Sequence, residues 1–203
     1  MRQAFISSLC TVFLLTLVAG STEVFGHHVD DTNERLAKVG PAPEFELTAQ
    51  DGTRFSINNV KGKVVAVSFT YTSCIDTCPL LTAKMVAVQN KLGNKFGSNV
   101  FFVTVSMDPE VDRPKVLERY AKALGCDLEG WAFVTGTETE IQKVAKDYGV
   151  FRKKLADGDV EHTLLTSIID RSGIVRVQYM GMRFDPQEFL HDLNKLVLEE
   201  DPA

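Results

Sequence analysis

The sequence lacks the features that define several classes of protein. No cluster or stripe of basic residues appears, and the formal net charge at pH 7 is −5, which argues against nucleic acid as a partner. It contains no internal repeat and no low-complexity stretch. With 203 residues, of which 44% are hydrophobic, the chain fits one ordinary globular domain with a buried core.

No apolar run is long enough to span a bilayer comfortably. The apolar run at residues 9–19 has the length of a signal peptide core, follows a basic start at Arg2, and is followed by small residues. We therefore interpret residues 1–26 as a cleaved export signal, with an uncleaved membrane anchor as the alternative. Export predicts a periplasmic protein, or one attached to the inner membrane and facing the periplasm.

Cysteine is scarce, with four residues in the whole chain. Cys10 lies within the apolar run, and Leu9 before it argues against lipid attachment, which expects a small residue there. Removal of the signal leaves Cys74, Cys78 and Cys126, so at least one thiol has no partner within the chain. In an oxidising compartment an unprotected pair tends to form a disulfide, so a chain that keeps Cys74 and Cys78 is expected to use them. Cys126 is interpreted as a small buried hydrophobe.

Strand and helix patterns alternate along the rest of the chain. Residues 27–40 are mostly polar and predict a flexible lead-in to a domain at 41–203. Alternating segments on both sides of a turn predict an N-terminal β-hairpin at 45–57, and the polar segment 151–161 predicts an inserted loop or small hairpin. Further strands are predicted at 64–69, 99–105, 131–134, 164–169 and 174–179, and helices at 79–92, 112–124, 137–148 and 185–198. This order implies an α/β fold with a mixed central sheet.

Cys74 and Cys78 lie where a buried strand gives way to a helix. Their i, i+4 spacing places them on one face if the intervening turn is helical. Free backbone N–H groups and the positive end of the helix dipole favour the thiolate of both residues. The spacing permits a soft metal and a disulfide alike, so metal binding and redox chemistry both stay open. An inert disulfide staple fits exposed thiols at a helix start less well.

His162 immediately precedes the strand predicted at 164–169. Loops at strand ends gather near the active face of a parallel α/β sheet, which makes His162 a candidate ligand, although a lone histidine is more often structural. Two cysteinates and one imidazole form a soft set that suits copper, as Cu(I) or, with added ligands, as Cu(II). Zinc would require a fourth ligand, for which water or Asp76 is available.

Several stretches carry a resemblance to a known family. They are 68–79 with its Cys-x-x-x-Cys-Pro element, 104–114 continuing to Leu117 and Tyr120, 131–136, 148–150 and 161–163. On these stretches the chain, from about residue 41 to 196, resembles the Sco/SenC family, thioredoxin-like copper proteins of bacterial and mitochondrial membranes. The resemblance implies a thioredoxin-like fold with an extra hairpin, and copper held by Cys74, Cys78 and His162.

The resemblance also implies partners and a function. These are delivery of copper to the copper-bearing subunit of cytochrome c oxidase, or reduction of the thiols of its dinuclear copper site, exchange with other copper carriers, and membrane association through the N-terminus. Some relatives resemble thiol–disulfide reductases or redox sensors, which is the alternative function for the Cys74/Cys78 pair. The chain departs from the family pattern at Ile75, where proline is frequent, in its cleavable N-terminus, and in the extra thiol of Cys126.

Three other features receive simpler interpretations. The segment 108–114 is interpreted as a turn and helix start, with Asp112 as the N-cap and Pro114 in the first turn, in preference to an outer-shell role near the thiols. Met180 and Met182 are interpreted as core methionines at a strand end, in preference to a soft copper contact. His191 is expected to be exposed on the last helix.

Overall fold

A computed structural model describes residues 36–156, 158–181 and 185–199 of the chain. The predicted export signal and residues 27–35 of the predicted lead-in lie outside the described residues. Within the described part, no helix combines the length and the apolar character that a membrane crossing requires.

The described residues form ten β-strands and four α-helices in an α/β arrangement. The strands are β1 (Gly40–Pro41), β2 (Glu46–Ala49), β3 (Arg54–Ser56), β4 (Val64–Thr70), β5 (Val100–Ser106), β6 (Trp131–Thr135), β7 (Arg152–Lys154), β8 (Val160–His162), β9 (Leu165–Ile169) and β10 (Ile174–Met180). The helices are α1 (Thr77–Leu92), α2 (Pro114–Ala123), α3 (Glu138–Asp147) and α4 (Pro186–Leu198).

Eight of these strands form one mixed sheet in the order β1-β10-β9-β4-β5-β6-β2-β3. β4, β5 and β6 run parallel, whereas β9 runs antiparallel to β4. Every residue of β4 is buried, as expected for a central strand covered on both faces. The predicted mixed sheet and the N-terminal hairpin, β2 with β3, are confirmed.

The remaining two strands, β7 and β8, form a separate antiparallel hairpin. This is the inserted hairpin predicted before β9. It ends one residue later than the predicted segment 151–161, because His162 is the last residue of β8 and pairs with Arg152 across the hairpin. His162 therefore belongs to the hairpin and not to the strand of the main sheet.

Side chains cap the starts of α3 and α4 but not those of α1 and α2. Thr137 caps α3 through a capping box with Glu140, as its sequence predicts. Pro114 occupies the first turn of α2, but the residue at the N-cap position is Arg113, which makes no side-chain capping bond. The prediction of Asp112 as the N-cap is therefore wrong, and its carboxylate has other partners, described below.

Two apolar clusters cover the two faces of the sheet. One contains Leu47, Phe69 and Ile141 beneath α3, and the other contains Phe102 and Trp131 beneath α1, α2 and α4. Burial of each side chain of this kind contributes roughly 1.5–3 kcal/mol, so the central strands form a rigid platform for the loops at their ends. Cys126 is buried in the second cluster, as predicted.

The end of the predicted lead-in lies along β10. The Val39 N–H donates to Val175 O at 2.8 Å, and Arg176 Nε donates to Leu36 O at 3.0 Å. Gly40 and Pro41 then continue this pairing as β1. Residues 36–41 are thus hydrogen-bonded to the edge of the sheet.

Candidate metal centre

The topology brings the three predicted site residues to one edge of the sheet. β4 ends at Thr70, and the loop that follows carries Cys74 into α1, which begins at Thr77. Because β9 runs antiparallel to β4, with Ser68 opposite Thr166, the start of β9 lies at the same edge as the end of β4. The β7–β8 hairpin, which directly precedes β9, therefore places His162 beside the thiols.

Cys78 is the residue that both other side chains approach. Its Sγ lies 4.0 Å from His162 Nε2, and its backbone N–H points to Cys74 Sγ at 3.5 Å. All three cysteines in the described part of the chain are free thiols. Among the described residues, no group of three or more histidine, cysteine, aspartate or glutamate side chains is arranged so that it could hold a metal ion. Cys78 instead makes two separate pairwise contacts, one with Cys74 and one with His162.

The environment of Cys74 stabilises its thiolate. Partial burial opposes the charged form, but hydrogen bonds from the backbone N–H groups of Cys78 and Asp76 and from the Thr77 hydroxyl outweigh it. Together they lower the pKa of Cys74 to about 7. Free N–H groups at the helix start therefore act on this sulfur as the sequence predicts.

The same prediction is wrong for Cys78. Burial raises the pKa of Cys78 to about 11, and the nearby Cys74 sulfur adds to the increase, although Thr70 and Tyr71 oppose it. Cys78 lies inside the first turn of α1 and is 1% exposed, so desolvation exceeds the effect of the helix dipole. The pair consists of one acidic, accessible thiol and one buried, weakly acidic thiol.

His162 presents a neutral ring nitrogen to Cys78. Burial lowers the pKa of His162, which favours the uncharged imidazole. Its Nδ1 lies 3.1 Å from Thr163 O, and because a carbonyl only accepts, Nδ1 carries the proton and Nε2 keeps a free lone pair. The Tyr71 ring contacts the imidazole edge to face, with centroids 5.7 Å apart, and its hydroxyl donates to Asp159 of the hairpin at 2.6 Å.

The contact between Cys78 and His162 has the spacing of two ligands of one soft metal ion. Bonds of about 2.3 Å to sulfur and about 2.0 Å to nitrogen place two ligand atoms of one metal ion roughly 4 Å apart. The observed sulfur–nitrogen distance of 4.0 Å therefore leaves room for an ion between Cys78 and His162. A sulfur–sulfur–nitrogen set of this kind favours copper over harder metals.

The sequence interpretation set aside an outer-shell role near the thiols for the segment 108–114, but the structure places Asp112 against the segment that carries them. Asp112 is fully buried, and its carboxylate accepts hydrogen bonds from the Thr72 N–H at 3.2 Å, from the Thr72 hydroxyl, and from Ser106 Oγ at 2.6 Å. Thr72 is two residues before Cys74, so Asp112 fixes the approach to the thiols. The available signal was the position of Asp112 just after β5, at the sheet edge where β4 also ends.

The simpler interpretations of the methionines at the end of β10 and of His191 have different outcomes. Met180, the last residue of β10, is 68% exposed, so its interpretation as a core methionine is wrong. Met182 lies outside the described residues. His191 is exposed on α4, as predicted, and Ile75, between the two thiols, is 96% exposed.

A mixed sheet with a thiol pair after its central parallel strand and a helix following it defines a thioredoxin-like protein. More narrowly, the sequence model of the SCO1/SenC family matches residues 33–198, and the chain belongs to this family. It is 31% identical over 147 residues to the SCO1 protein homolog of Bacillus subtilis, an alignment that covers 71% of this chain and 76% of that protein.

Solved structures agree with this assignment. Bradyrhizobium japonicum ScoI with copper bound is 30% identical and matches with a TM-score of 0.68, covering 77% of this chain and 99% of that one. BsSco, described as having a disulfide switch and as a member of the Sco family of cytochrome c oxidase assembly proteins, is 26% identical. It matches with a TM-score of 0.71 over 82% of this chain and the whole of that one, 100%.

Proposed function

We propose that this protein is a copper metallochaperone that binds copper through Cys74, Cys78 and His162. Its recipient is the copper-bearing subunit of cytochrome c oxidase, to which it delivers copper or whose thiols it prepares for copper. Family relatives support this proposal, since one has been solved with copper bound and another is described as a cytochrome c oxidase assembly protein. Exchange with other copper carriers belongs to the same role.

The observation that carries the proposal is the contact between Cys78 and His162. Two sequence-distant residues from different elements meet at 4.0 Å, and the imidazole nitrogen at that contact is unprotonated. A histidine with a purely structural role is expected to use both ring nitrogens in hydrogen bonds. Here Nδ1 has its carbonyl partner, and Nε2 faces a thiol, which is a weak donor and a strong metal ligand once deprotonated.

Access to the site is one-sided. Cys74 is partly exposed while Cys78 is buried, and the neighbouring Ile75 is almost fully exposed. A partner protein therefore meets Cys74 first, and transfer of copper by ligand exchange begins at that sulfur. Cys78 and His162 keep hold of the ion until the partner's ligands replace them.

The proposed location is the exported space, with the domain in the periplasm or held at the inner membrane and facing the periplasm. The apolar run at 9–19 and the basic residue before it support export. Thiols at such a location must be kept reduced to bind metal, which links copper delivery to the redox state of the Cys74/Cys78 pair.

The ligand set is tested by replacing His162. The reduced parent is expected to bind one copper per chain with a sulfur-to-copper charge-transfer band, and His162→Ala is expected to weaken binding at least tenfold because one of three ligands is lost. Affinity is measured by competition with a chelator. His191→Ala, which removes an exposed histidine on α4, is the matched control. Equal affinity of His162→Ala and the parent would exclude the three-ligand site.

The asymmetry of the thiols favours a second function, thiol–disulfide reduction. The Cys74 thiolate attacks one sulfur of a partner disulfide, which forms a mixed disulfide and releases the partner's other thiolate. Cys78 then gives up its proton to solvent, attacks Cys74 and releases the second partner thiolate. The partner disulfide is reduced by two electrons while Cys74 and Cys78 are oxidised to a disulfide. A pKa of about 7 at Cys74 and about 11 at Cys78 suits these two roles.

This second function predicts a trapped intermediate. In Cys78→Ser the resolving sulfur is missing, so the mixed disulfide between Cys74 and a protein substrate should accumulate in the absence of metal. Non-reducing electrophoresis with mass spectrometry measures it, and Cys126→Ser, which removes a thiol buried away from the site, is the control. If the trapped complex were absent and turnover of a protein disulfide undetectable, the protein would not be a reductase.

A further inference from the structure

The β5–α2 loop, residues 107–113, contacts both halves of the proposed copper site. It follows the strand beside β4 and lies at the edge where the thiols and His162 meet. Two of its carboxylates are buried, with Asp108 1% and Asp112 0% exposed. Buried carboxylates are costly unless they have close partners, so the partners of these two residues identify what the loop holds in place.

Asp112 holds the thiol half. Its carboxylate accepts both the N–H and the hydroxyl of Thr72, and the Cys74 N–H donates to Tyr71 O at 3.3 Å in the adjoining turn. The loop is also joined to the end of β4, since the Met107 N–H donates to Thr70 O at 2.7 Å. The segment that carries Cys74 is therefore attached to the β5–α2 loop by several hydrogen bonds.

Asp108 and Met107 hold the histidine half. Lys154 of β7 donates to Asp108 Oδ1 at 3.0 Å, and Arg152 Nε of the same strand donates to Met107 O at 2.6 Å. Arg152 lies directly opposite His162 in the hairpin register, and its side chain is 2% exposed. Arg152 Nη2 also donates to Glu138 of α3 at 2.9 Å. The same loop therefore helps to hold β7, and with it His162 on β8, together with α3.

The two anchors are connected within the loop. The Asp112 N–H donates to Asp108 O at 2.8 Å. Ser106 Oγ donates to Asp112 Oδ2 at 2.6 Å and accepts the Asp108 N–H at 3.1 Å. These bonds join the carboxylate and backbone N–H of Asp112 to the backbone of Asp108. A displacement of one anchor relative to the other therefore breaks hydrogen bonds between buried groups.

We propose that the β5–α2 loop is a positioning device that sets the separation between the thiols and His162. Asp112 acts on the thiol half through Thr72, and Asp108 acts on the histidine half through Lys154. This inference rests on the proposed copper site and adds residues that touch no metal. Partners that orient metal ligands from outside typically change affinity by about 10–100-fold when they are replaced.

The two halves are tested by one substitution each. Lys154→Gln removes the charge that holds the hairpin, and copper affinity is expected to fall about tenfold, with a weaker nitrogen coupling from His162 in pulsed EPR of the Cu(II) form. The midpoint reduction potential of the Cys74–Cys78 disulfide should stay at the parent value. Asp112→Asn should show the converse, a shifted midpoint reduction potential of the disulfide with the nitrogen coupling of His162 retained. If Asp112→Asn fails to fold, Thr72→Val, which removes the hydroxyl partner of Asp112, replaces it in this test.

Lys143→Gln, which breaks an ion pair of α3 that is 70% exposed at the lysine, is the matched control and should leave both signatures unchanged. The inference would be overturned if both variants kept the copper affinity, the nitrogen coupling of His162 and the disulfide reduction potential of the parent. So would an equal loss of both signatures in each variant, because that outcome indicates general loss of structure.

A metal-free measurement separates this inference from the proposed function. Amide hydrogen exchange of β7 and β8 in Lys154→Gln is expected to accelerate, while exchange in the thiol loop stays at the parent rate. If the parent bound no copper but this exchange pattern appeared, the copper proposal would fail and the anchoring by the loop would stand. If amide exchange of β7 and β8 were unchanged in Lys154→Gln while the parent bound copper normally, the anchoring by the loop would be wrong and the copper proposal would stand.

Discussion

At the scale of the residue, burial decides how the two thiols differ. Both lie at the start of α1, where free N–H groups stabilise negative charge, yet the pKa is lowered at Cys74 and raised at Cys78. Cys74 precedes the helix and accepts its N–H groups, whereas Cys78 is enclosed by the first turn. A buried thiol of this kind releases its proton when a metal ion replaces it, so copper binding is coupled to proton release.

This asymmetry predicts a pH profile for metal-free, reduced protein. The alkylation rate of Cys74 by iodoacetamide should rise with pH and reach half its maximum near pH 7, because the thiolate fraction increases through a pKa of about 7. Cys78, with a pKa of about 11, should react slowly throughout this range. Peptide mapping by mass spectrometry separates the two sites.

The third thiol provides the internal control for this profile. Burial raises the pKa of Cys126 to about 12, so it should stay unlabelled below pH 9 in the folded protein. Equal labelling rates of Cys74 and Cys78 at pH 7 would contradict the assignment of an acidic, accessible sulfur and a buried one.

At the scale of the element, the features that depend on local sequence pattern were predicted well, and those that depend on long-range contacts were not. The predicted bounds of the helices and main-sheet strands agree with the structure within two residues, because hydrophobic period and capping are local properties. The start of α1 is the informative difference: Thr77 and not Pro79 begins the helix. That shift places Cys78 inside the first turn and accounts for the burial that the sequence did not reveal.

Asp112 shows the limit of local interpretation. An aspartate two residues before a proline at a helix start is typical of an N-cap, and within its own segment nothing contradicts that interpretation. Its partner Thr72 is 40 residues away in the chain, and their contact exists only because β4 and β5 are neighbours in the sheet. The thiol pair and His162 could be named as candidate site residues from residue type and resemblance, whereas the residues that hold them in place could be found only from the topology.

At the scale of the whole molecule, the site and a largely buried ion-pair network around Arg176 lie at opposite ends of the central strands. The site is beyond the end of β4, at Thr70. At the other end, Arg176 bonds to Asp170 Oδ2 at 3.0 Å, to Glu199 Oε2 at 2.7 Å and to Leu36 O at 3.0 Å. This network joins β10, the end of α4 and the segment before β1, and it uses none of the site residues.

Stability and copper binding should therefore be separable. Arg176→Met removes the guanidinium that bonds to two largely buried carboxylates, Asp170 and Glu199, whose side chains are 11% and 15% exposed. A loss of about 2–3 kcal/mol in the free energy of unfolding is expected. For a domain of this size that corresponds to a melting temperature about 5–10 °C lower, measured by circular dichroism. Copper affinity and the charge-transfer spectrum at 25 °C should match those of the parent, because a rigid seven-residue strand separates the two regions.

Arg54→Met is the matched control for this separation. Its ion pair with Glu46 is more than half exposed on both sides, and pairs of this kind contribute only about 0–1 kcal/mol, so the melting temperature should change little. A change in the copper spectrum of Arg176→Met would show that the far end of the sheet is coupled to the metal centre. The opposite result, a lower melting temperature with an unaltered spectrum, means that the sheet supports the site without affecting its copper-binding properties. Those properties then depend on the loops at the β4 end.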